Sequence, residues 1–486
     1  MGGPEQGSET VIFTPLDWAI IVVYLVFSLA AGLYGKRFIA GLSDFLVAGR
    51  GIGLYLGVAT LAATEIGTVT FMYYAELGYK TGFASFINGL VAGCVMIAIG
   101  RTGFIVKRLR DLQLMTVPEF FQVRYSRNLR VLTGVLVATG GILNMGVFLK
   151  IEGTFLATIS GIPLEYLKAV MTGILLLELI YTVLGGMVSI VITDFIQFVA
   201  LAVGTIVVTV VSIHAAGWGS MRDAVTRTMG GEGFDPLLNP QYGWAYIAFQ
   251  ILLWLAVDTC WQTTAMRTFS ARDSETSKKI FTWTGFIFLG RGMMPMLWGI
   301  AALAMLGPAH DSLQAMPMML ARILPNGVRG VVVAGMLAAT MSVNSSYLLG
   351  WSAIIAQDIV MPLRRTPLSS RSQVFLNRAT NLFVSLFVLF WGLWYTLPGP
   401  AYFYLNITGT IFLGGSLAAI VGGLYWKHAN LTGAYAAMLS GAAGASAFFF
   451  LHWPASYSGL GAFVLAFAGM FVGSLLGKSK NVEAAR

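Results

Sequence analysis

Several side chains with ionic or hard-oxygen chemistry interrupt stretches that are otherwise apolar. Asp194 lies in Thr193-Asp194-Phe195-Ile196-Gln197, just after Gly185-Gly186 and at the start of a long apolar run. An unpaired acid at bilayer depth costs about 2.5 to 3.5 kcal/mol on insertion scales, so it is expected to face a pathway, a partner or a cation. Ser342, Ser345 and Ser346 are spaced by three and four positions and share one helix face. Hydroxyl oxygens in such a row suit a small hard cation. The alternative is that they ease helix packing and bond back to their own carbonyls. Arg291 carries a permanent charge on a planar fork matched to a carboxylate. Asp258, on the preceding span at nearly the same depth, is either its internal partner or a group that exchanges partners with it. Glu65 is a further acid within an apolar stretch; it could carry a proton or accept hydrogen bonds from backbone amides.

The elements that must position these groups are membrane helices. The chain has 57% hydrophobic and 10% charged residues, with a mean hydropathy of +0.77. This is far more apolar than a soluble domain. A helix needs about 20 apolar residues to cross a core of about 30 Å. Thirteen such spans are expected, an all-α integral membrane fold, at 14–35, 53–76, 82–106, 130–160, 165–185, 188–213, 243–266, 280–306, 329–357, 376–397, 403–426, 431–452 and 457–477. Counting about 1.5 Å per residue from the cytoplasmic ends puts Glu65, Asn144, Asp258, Arg291 and Ser342 roughly 12 to 22 Å deep, with Asp194 nearer the cytoplasm.

The net charge of +9 follows the loops and points to no nucleic-acid partner. Lys36, Arg37 and Arg50 follow the first span, Lys107, Arg108, Arg110, Arg124 and Arg127 the third, and Arg267, Arg272, Lys278 and Lys279 the seventh. Arg364, Arg365, Arg371 and Arg378 follow the ninth, Lys427 the eleventh, and Lys478, Lys480 and Arg486 close the sequence. The positive-inside rule then places the N-terminus outside and the C-terminus in the cytoplasm of a multi-pass cell-membrane protein. The first ten residues lack the basic region and small-residue cleavage site of a signal peptide, so the first span is expected to stay. Cys94 and Cys260 both fall in apolar spans, where cysteine acts as a small hydrophobe.

There is no phosphate-binding glycine loop, zinc spacing or nucleophile elbow, which argues against an ATP-driven pump or a membrane enzyme. No continuous polar stripe suggests a channel. The loops at 214–242 and 307–328 are polar enough for a short helix or lid.

Four motifs now coincide: Ser43-Asp44-Phe45-Leu46-Val47-Ala48-Gly49-Arg50, Gly185-Gly186 followed by Thr193-Asp194-Phe195-Ile196-Gln197, Arg267-Thr268-Phe269-Ser270-Ala271-Arg272-Asp273, and Ala338-Ala339-Thr340-Met341-Ser342. In this order, over nearly the whole chain, they resemble the sodium:solute symporter family, which includes bacterial proline, sugar and sialic acid symporters. The resemblance implies a LeuT-type core of two inverted five-helix repeats at 53–213 and 243–426. An N-terminal extra helix and inner loop (1–52), an outer loop (214–242) and two C-terminal helices with a short tail (427–486) complete that plan. No internal sequence symmetry shows the repeat independently. Signalling relatives carry a long cytoplasmic extension, whereas only a few residues follow Gly477.

The resemblance further implies sodium-coupled symport of a small organic solute by alternating access, with proton coupling as the nearer alternative. Carried over by position, the sodium ligands are the carbonyls of Ala63, Ile66 and Ala339 and the hydroxyl of Ser342; Val343 stands where a second hydroxyl is common. A second, inner sodium position of some sialic acid symporters corresponds to Ser342, Ser345, Ser346 and Asp194. For the solute, Asn144 matches a binding asparagine, and Arg291 falls where sugar symporters have a binding lysine. Gly89, Ala92 and Trp261 replace polar sugar contacts. An organic acid is therefore expected before amino acids or other zwitterions, held by Arg291 with Thr70, Asn144 and Trp261, with Asp258 close by. Tyr74, with Phe71, Tyr73 and Trp261, is a candidate gate. Glu178 and the Lys150 and Glu152 pair are expected to be structural or snorkelling groups.

Overall fold

The computed structural model describes residues 13–35, 41–364, 366, 368–395 and 400–477, and it is helical throughout. Lipid offers no partner to a backbone N–H or C=O, so each crossing segment must satisfy its own. The helices that carry the argument are α1 (Pro15–Gly35), α2 (Leu54–Glu65), α3 (Thr68–Thr81), α4 (Ile87–Thr102), α5 (Arg127–Met145), α6 (Phe148–Ser160), α7 (Leu167–Ala216), α8 (Trp244–Cys260), α9 (Gln262–Ser270), α10 (Ser274–Leu306), α11 (Val328–Ile354), α12 (Ser370–Trp394), α13 (Ala401–Tyr425), α14 (Leu431–Phe450) and α15 (Ala455–Leu476). Among the described residues, nine helical stretches are long and apolar enough to cross a membrane, or ten if the bent pair α8 and α9 is one span. The cationic tail at Lys478, Lys480 and Arg486, like Lys36, Arg37 and Arg365, lies outside the described residues.

Two of the expected spans are broken. The span at 53–76 divides at Ile66 and Gly67, whose extended backbone (φ −113° and −112°) separates α2 from α3. The span at 243–266 divides at Trp261 (φ −69°, ψ 127°), and α8 and α9 are bent 47° apart. Sequence hydropathy does not register either break, because the residues around it stay apolar enough to look continuous. The reverse happens at Gly185-Gly186. Helical backbone runs from Leu167 to Ala216 without interruption, where the sequence suggested two spans. Glycine costs a helix only about 1 kcal/mol, less than exposing unpaired backbone groups to lipid.

The loops at 214–242 and 307–328 carry the short helices Trp218–Met229 and Ser312–Ile323. Burial separates scaffold from lipid-facing wall. Of the most apolar window in Val328–Leu363, 89% is buried, against 28% for Met187–Ala216. α11 is thus the central post, and the second half of α7 faces outward. The close crossing of α3 and α10 depends on missing side chains: a Cβ on Gly299 would lie 1.9 Å from the Ala75 carbonyl oxygen, and one on Gly78 would lie 2.1 Å from that of Met296. This contact brings Arg291, two turns earlier on α10, against Tyr73 of α3. The paired broken helices, packed around one central post, form an inverted-repeat-like bundle.

Candidate functional site

Breaking a helix frees carbonyls at the end of one half and amides at the start of the next. At the first break, Thr70 meets part of this need. Its hydroxyl donates to the Glu65 carbonyl (3.2 Å) and accepts from the Gly67 N–H (3.3 Å). The Ala63 carbonyl lies in the last turn of α2, where no intrahelical partner follows. Ala339 lies inside uninterrupted α11, so its carbonyl has only a second lone pair to offer. The break abuts α11 directly: a Cβ on Gly67 would lie 2.7 Å from a methyl of Val343, and Thr68 Oγ1 donates to the Met336 carbonyl at 2.6 Å. The expected sodium ligands Ala63, Ile66, Ala339 and Ser342 therefore lie on two elements in contact. Val343 fills the joint with hydrocarbon.

The two breaks are tied to each other by Glu65. Its Oε1 accepts from Thr263 Oγ1 (3.1 Å) and Thr264 Oγ1 (3.0 Å), both in the first turn of α9. Beside this link is a cavity of about 90 Å³, lined by Thr64, Glu65, Thr70, Tyr73, Asn144, Trp261, Arg291, Val343, Tyr347, Tyr402 and Asn406 together with apolar residues. Thr70, Asn144, Trp261 and Arg291 are thus brought together as the sequence suggested. Asp258 is not among the lining residues, and among the described residues its carboxylate oxygens have no hydrogen-bond partner. The direct Asp258 to Arg291 pair does not form, because Arg291 turns onto aromatic surface. Its guanidinium lies 4.4 Å from the Phe288 ring centre and 5.3 Å from that of Trp254, and Nη2 donates to Tyr73 Oη at 3.4 Å. Ring faces hold a cation without neutralising it. Among the described residues, Nε and Nη1 of Arg291 have no hydrogen-bond partner.

Tyr74, the candidate gate, is buried beside the cavity wall rather than in it, with its ring against Tyr73 (4.5 Å) and Tyr402 (5.9 Å). Asn144 donates to the Leu405 carbonyl (2.7 Å) and Thr408 Oγ1 (3.1 Å), which fixes α5 to α13. Trp261 packs between Tyr347, Trp351 and Phe412, and so anchors the second break. Lys150 and Glu152 are not partners. Lys150 donates to the Tyr395 carbonyl, and Glu152 accepts from Asn344 at 2.9 Å. The Glu178 side chain lies outside the described residues.

The Asp194 cluster contains a residue that sequence reasoning misplaced. Arg267, counted with the loop cations after the seventh span, is only 1% exposed and lies 3.2 Å from Asp194, which is 0% exposed. A buried ion pair tolerates desolvation only where further hydrogen bonds complete it, and they are present here. Asp194 accepts from Thr60 (2.5 Å), Thr64 (3.5 Å) and Ser342, while Arg267 donates to Ser346 (2.8 Å), Thr60 (3.3 Å), Thr64 and the Thr263 carbonyl (3.2 Å). Ser345 differs from its neighbours, bonding back to the Ser342 carbonyl at 3.1 Å. The sequence hints for Arg267 were its place directly after the expected span at 243–266 and at the head of the Arg267–Asp273 motif. Among the described residues no group of three or more histidines, cysteines or acids that could hold a metal ion occurs.

A helical bundle with two broken helices, a central cavity between them and buried charge at the breaks has the architecture of a membrane transporter. Residues 45–441 match the sodium:solute symporter family, and the chain belongs to it. It is 26% identical to the sodium/glucose cotransporter of Vibrio parahaemolyticus, with 86% of this chain and 82% of that protein covered. It is 26% identical to the sodium/pantothenate symporter of Escherichia coli (strain K12), covering 87% and 88%, and 24% identical to the sodium/proline symporter of Staphylococcus aureus (strain Newman), covering 87% and 84%. The fold is similar to that of a Na+-coupled sialic acid symporter solved in a substrate-bound outward-open state, with a TM-score of 0.83 at 18% identity over 96% of this chain and 98% of that one. A nucleobase-cation-symport-1 family transporter in a closed conformation gives 0.58 at 12% identity over 89% and 94%. This chain is a secondary transporter and not an enzyme. It is a multi-pass plasma-membrane protein that couples movement of a small organic solute to sodium.

Proposed function

We propose that the solute is a small carboxylate-bearing molecule, an organic acid first and an amino acid or other zwitterion second, bound in the cavity between the two helix breaks. The observation that carries this reading is Arg291, buried on aromatic faces with Nε and Nη1 unpartnered among the described residues. Its permanent charge and fork match a carboxylate. Thr70, Asn144 and Trp261 complete the binding wall, and Asp258 lies behind it as a reserve partner for Arg291 when the solute leaves. Glu65, fixed by Thr263 and Thr264, holds the two broken helices together and offers its other oxygen to a cationic or hydroxyl group of the solute. Tyr74 supports Tyr73 and Tyr402 as part of the gate.

Sodium sits between the first break and α11, on the carbonyls of Ala63, Ile66 and Ala339 and the hydroxyl of Ser342. By holding α2 against α11 it favours the state that binds solute, which is linkage between ion and solute. Asp194, with Ser345 and Ser346 beside it, forms a second cation-attracting shell closer to the cytoplasm. The architecture is thirteen spans with a LeuT-type core of two five-helix repeats at 53–213 and 243–426, flanked by 1–52, 214–242 and 427–486. The N-terminus faces outward and the C-terminus the cytoplasm. Support for this plan comes from the alternating loop cations and from one broken helix at the head of each half.

The test is thermal unfolding of the detergent-purified protein with carboxylates, amino acids and sugars, in sodium and in N-methylglucamine at equal ionic strength. Stabilisation by a carboxylate, larger in sodium, is expected. Stabilisation by neutral sugars alone would refute the carboxylate reading.

A further inference from the structure

The oxygens around Asp194 form a shell that an ion of radius similar to sodium would find suitable: a carboxylate, Ser342, Ser346, Thr60 and Thr64. A guanidinium already holds all of them but Ser342, which donates to Asp194 instead. Arg267 Nη2 lies within hydrogen-bond reach of Asp194 Oδ2 and of the Thr60, Thr64 and Ser346 hydroxyls. Its neighbouring nitrogen, Nη1, is anchored to the Thr263 carbonyl one turn back on α9. Nothing at physiological pH removes its proton. A sodium ion entering the same shell would lie next to a fixed positive charge of equal sign, with only one carboxylate to serve both.

We infer that Arg267 is the resident cation of the Asp194 shell, so that this transporter has a single exchangeable sodium site, the one at the break of α2 and α3. The inference rests on the sodium site proposed above and goes further by assigning the shell's charge to the protein itself. Its physical content is a difference in mobility. An ion dissociates on the cytoplasmic side and carries gradient energy away, whereas a tethered guanidinium cannot leave. It moves only as α9 moves. Because Thr263 and Thr264 of that helix also hold Glu65, any displacement of α9 breaks the Asp194 shell and the link between the two helix breaks together. Arg267 therefore couples the shell to opening of the central cavity without consuming a second ion. Ser345, turned back onto the Ser342 carbonyl, is not needed to complete such a shell.

The test is equilibrium binding of 22Na+ to the purified full-length protein in detergent, counted as ions per chain, for wild type, Arg267→Ala and Arg267→Gln. One ion per chain in wild type with a Hill coefficient of one, rising to two in either neutral variant, is the expected result. Two ions per chain in wild type would overturn the inference. So would a neutral variant that folds, by an unchanged far-UV spectrum and monodisperse elution, yet gains no ion. No bound ion in wild type but one in Arg267→Ala would sink the sodium site at the break while supporting the role of Arg267. If neither neutral variant folds, the wild-type count alone decides, one ion supporting the inference and any other number overturning it.

Discussion

Replacing Val343 by serine gives the sharpest test of sodium at the first helix break. The residue abuts Gly67 so closely that a Cβ there would lie 2.7 Å from its methyl, and it is 5% exposed. Val343→Ser removes two buried methyl groups, each worth about 0.8 kcal/mol, so the sodium-free protein should lose about 1 to 2 kcal/mol. The new hydroxyl reaches the joint between Ile66 and Ser342 as one more hard-oxygen ligand. A tenfold gain in sodium affinity corresponds to about 1.4 kcal/mol. At saturating sodium the ion's contribution to stability follows the logarithm of concentration over Kd, so it should grow by about that amount. The two effects oppose each other and separate cleanly in thermal unfolding. The variant melts below wild type in N-methylglucamine and gains more than wild type on transfer to sodium. Val343→Ala, which loses the packing but gains no oxygen, should melt lower in both buffers with the sodium increment unchanged. If Val343→Ser behaves like Val343→Ala, the ion does not lie at this joint and the ligand set Ala63, Ile66, Ala339 and Ser342 fails.

Arg291→Gln should abolish stabilisation by carboxylates, a loss of about 10- to 100-fold in affinity for a charge-assisted pair; Arg291→Lys should recover only part of it, and full carboxylate response in Arg291→Gln would place the anion elsewhere. Gly299→Ala puts a methyl 1.9 Å from the Ala75 carbonyl oxygen, a backbone atom that cannot rotate away, so about 3 kcal/mol or more of stability should be lost. A wild-type melting temperature for Gly299→Ala would show that α3 and α10 are not in such contact. Outside the membrane, Asp273 caps α10 by accepting from the Thr276 N–H at 2.7 Å, and that hydrogen bond holds its carboxyl below the ordinary value of 3.8. A depressed folded value means that the stabilisation is present above pH 3.8 and is lost as pH falls through the folded value. Asp273→Ala should cost about 1 kcal/mol at pH 7, and the difference from wild type should shrink in acid; a difference independent of pH would remove the charged cap.

Hydropathy and charge in the sequence by themselves determined that this is a multi-pass helical membrane protein, since about 20 apolar residues in succession have few other uses. Ordered motifs around Asp44, Asp194, Arg272 and Ser342 specified the family. Residue chemistry also marked Arg291, Asn144, Trp261 and Thr70, which the tertiary structure gathers around one cavity. What the sequence did not contain was pairing across distance. Arg267 reads as a loop cation because its partners are 203 and 73 positions away, at Thr64 and Asp194. Asp258 and Arg291 look like partners because depth along a helix is legible but rotation about its axis is not. Hydropathy hid the breaks at Ile66 and Trp261 equally, because it sums side chains and a break is a backbone event. It is stable only when another element, here Thr70 and the Glu65 link to α9, satisfies the groups it frees. Local composition therefore decided where the chain lies, and only folding decided which charges meet.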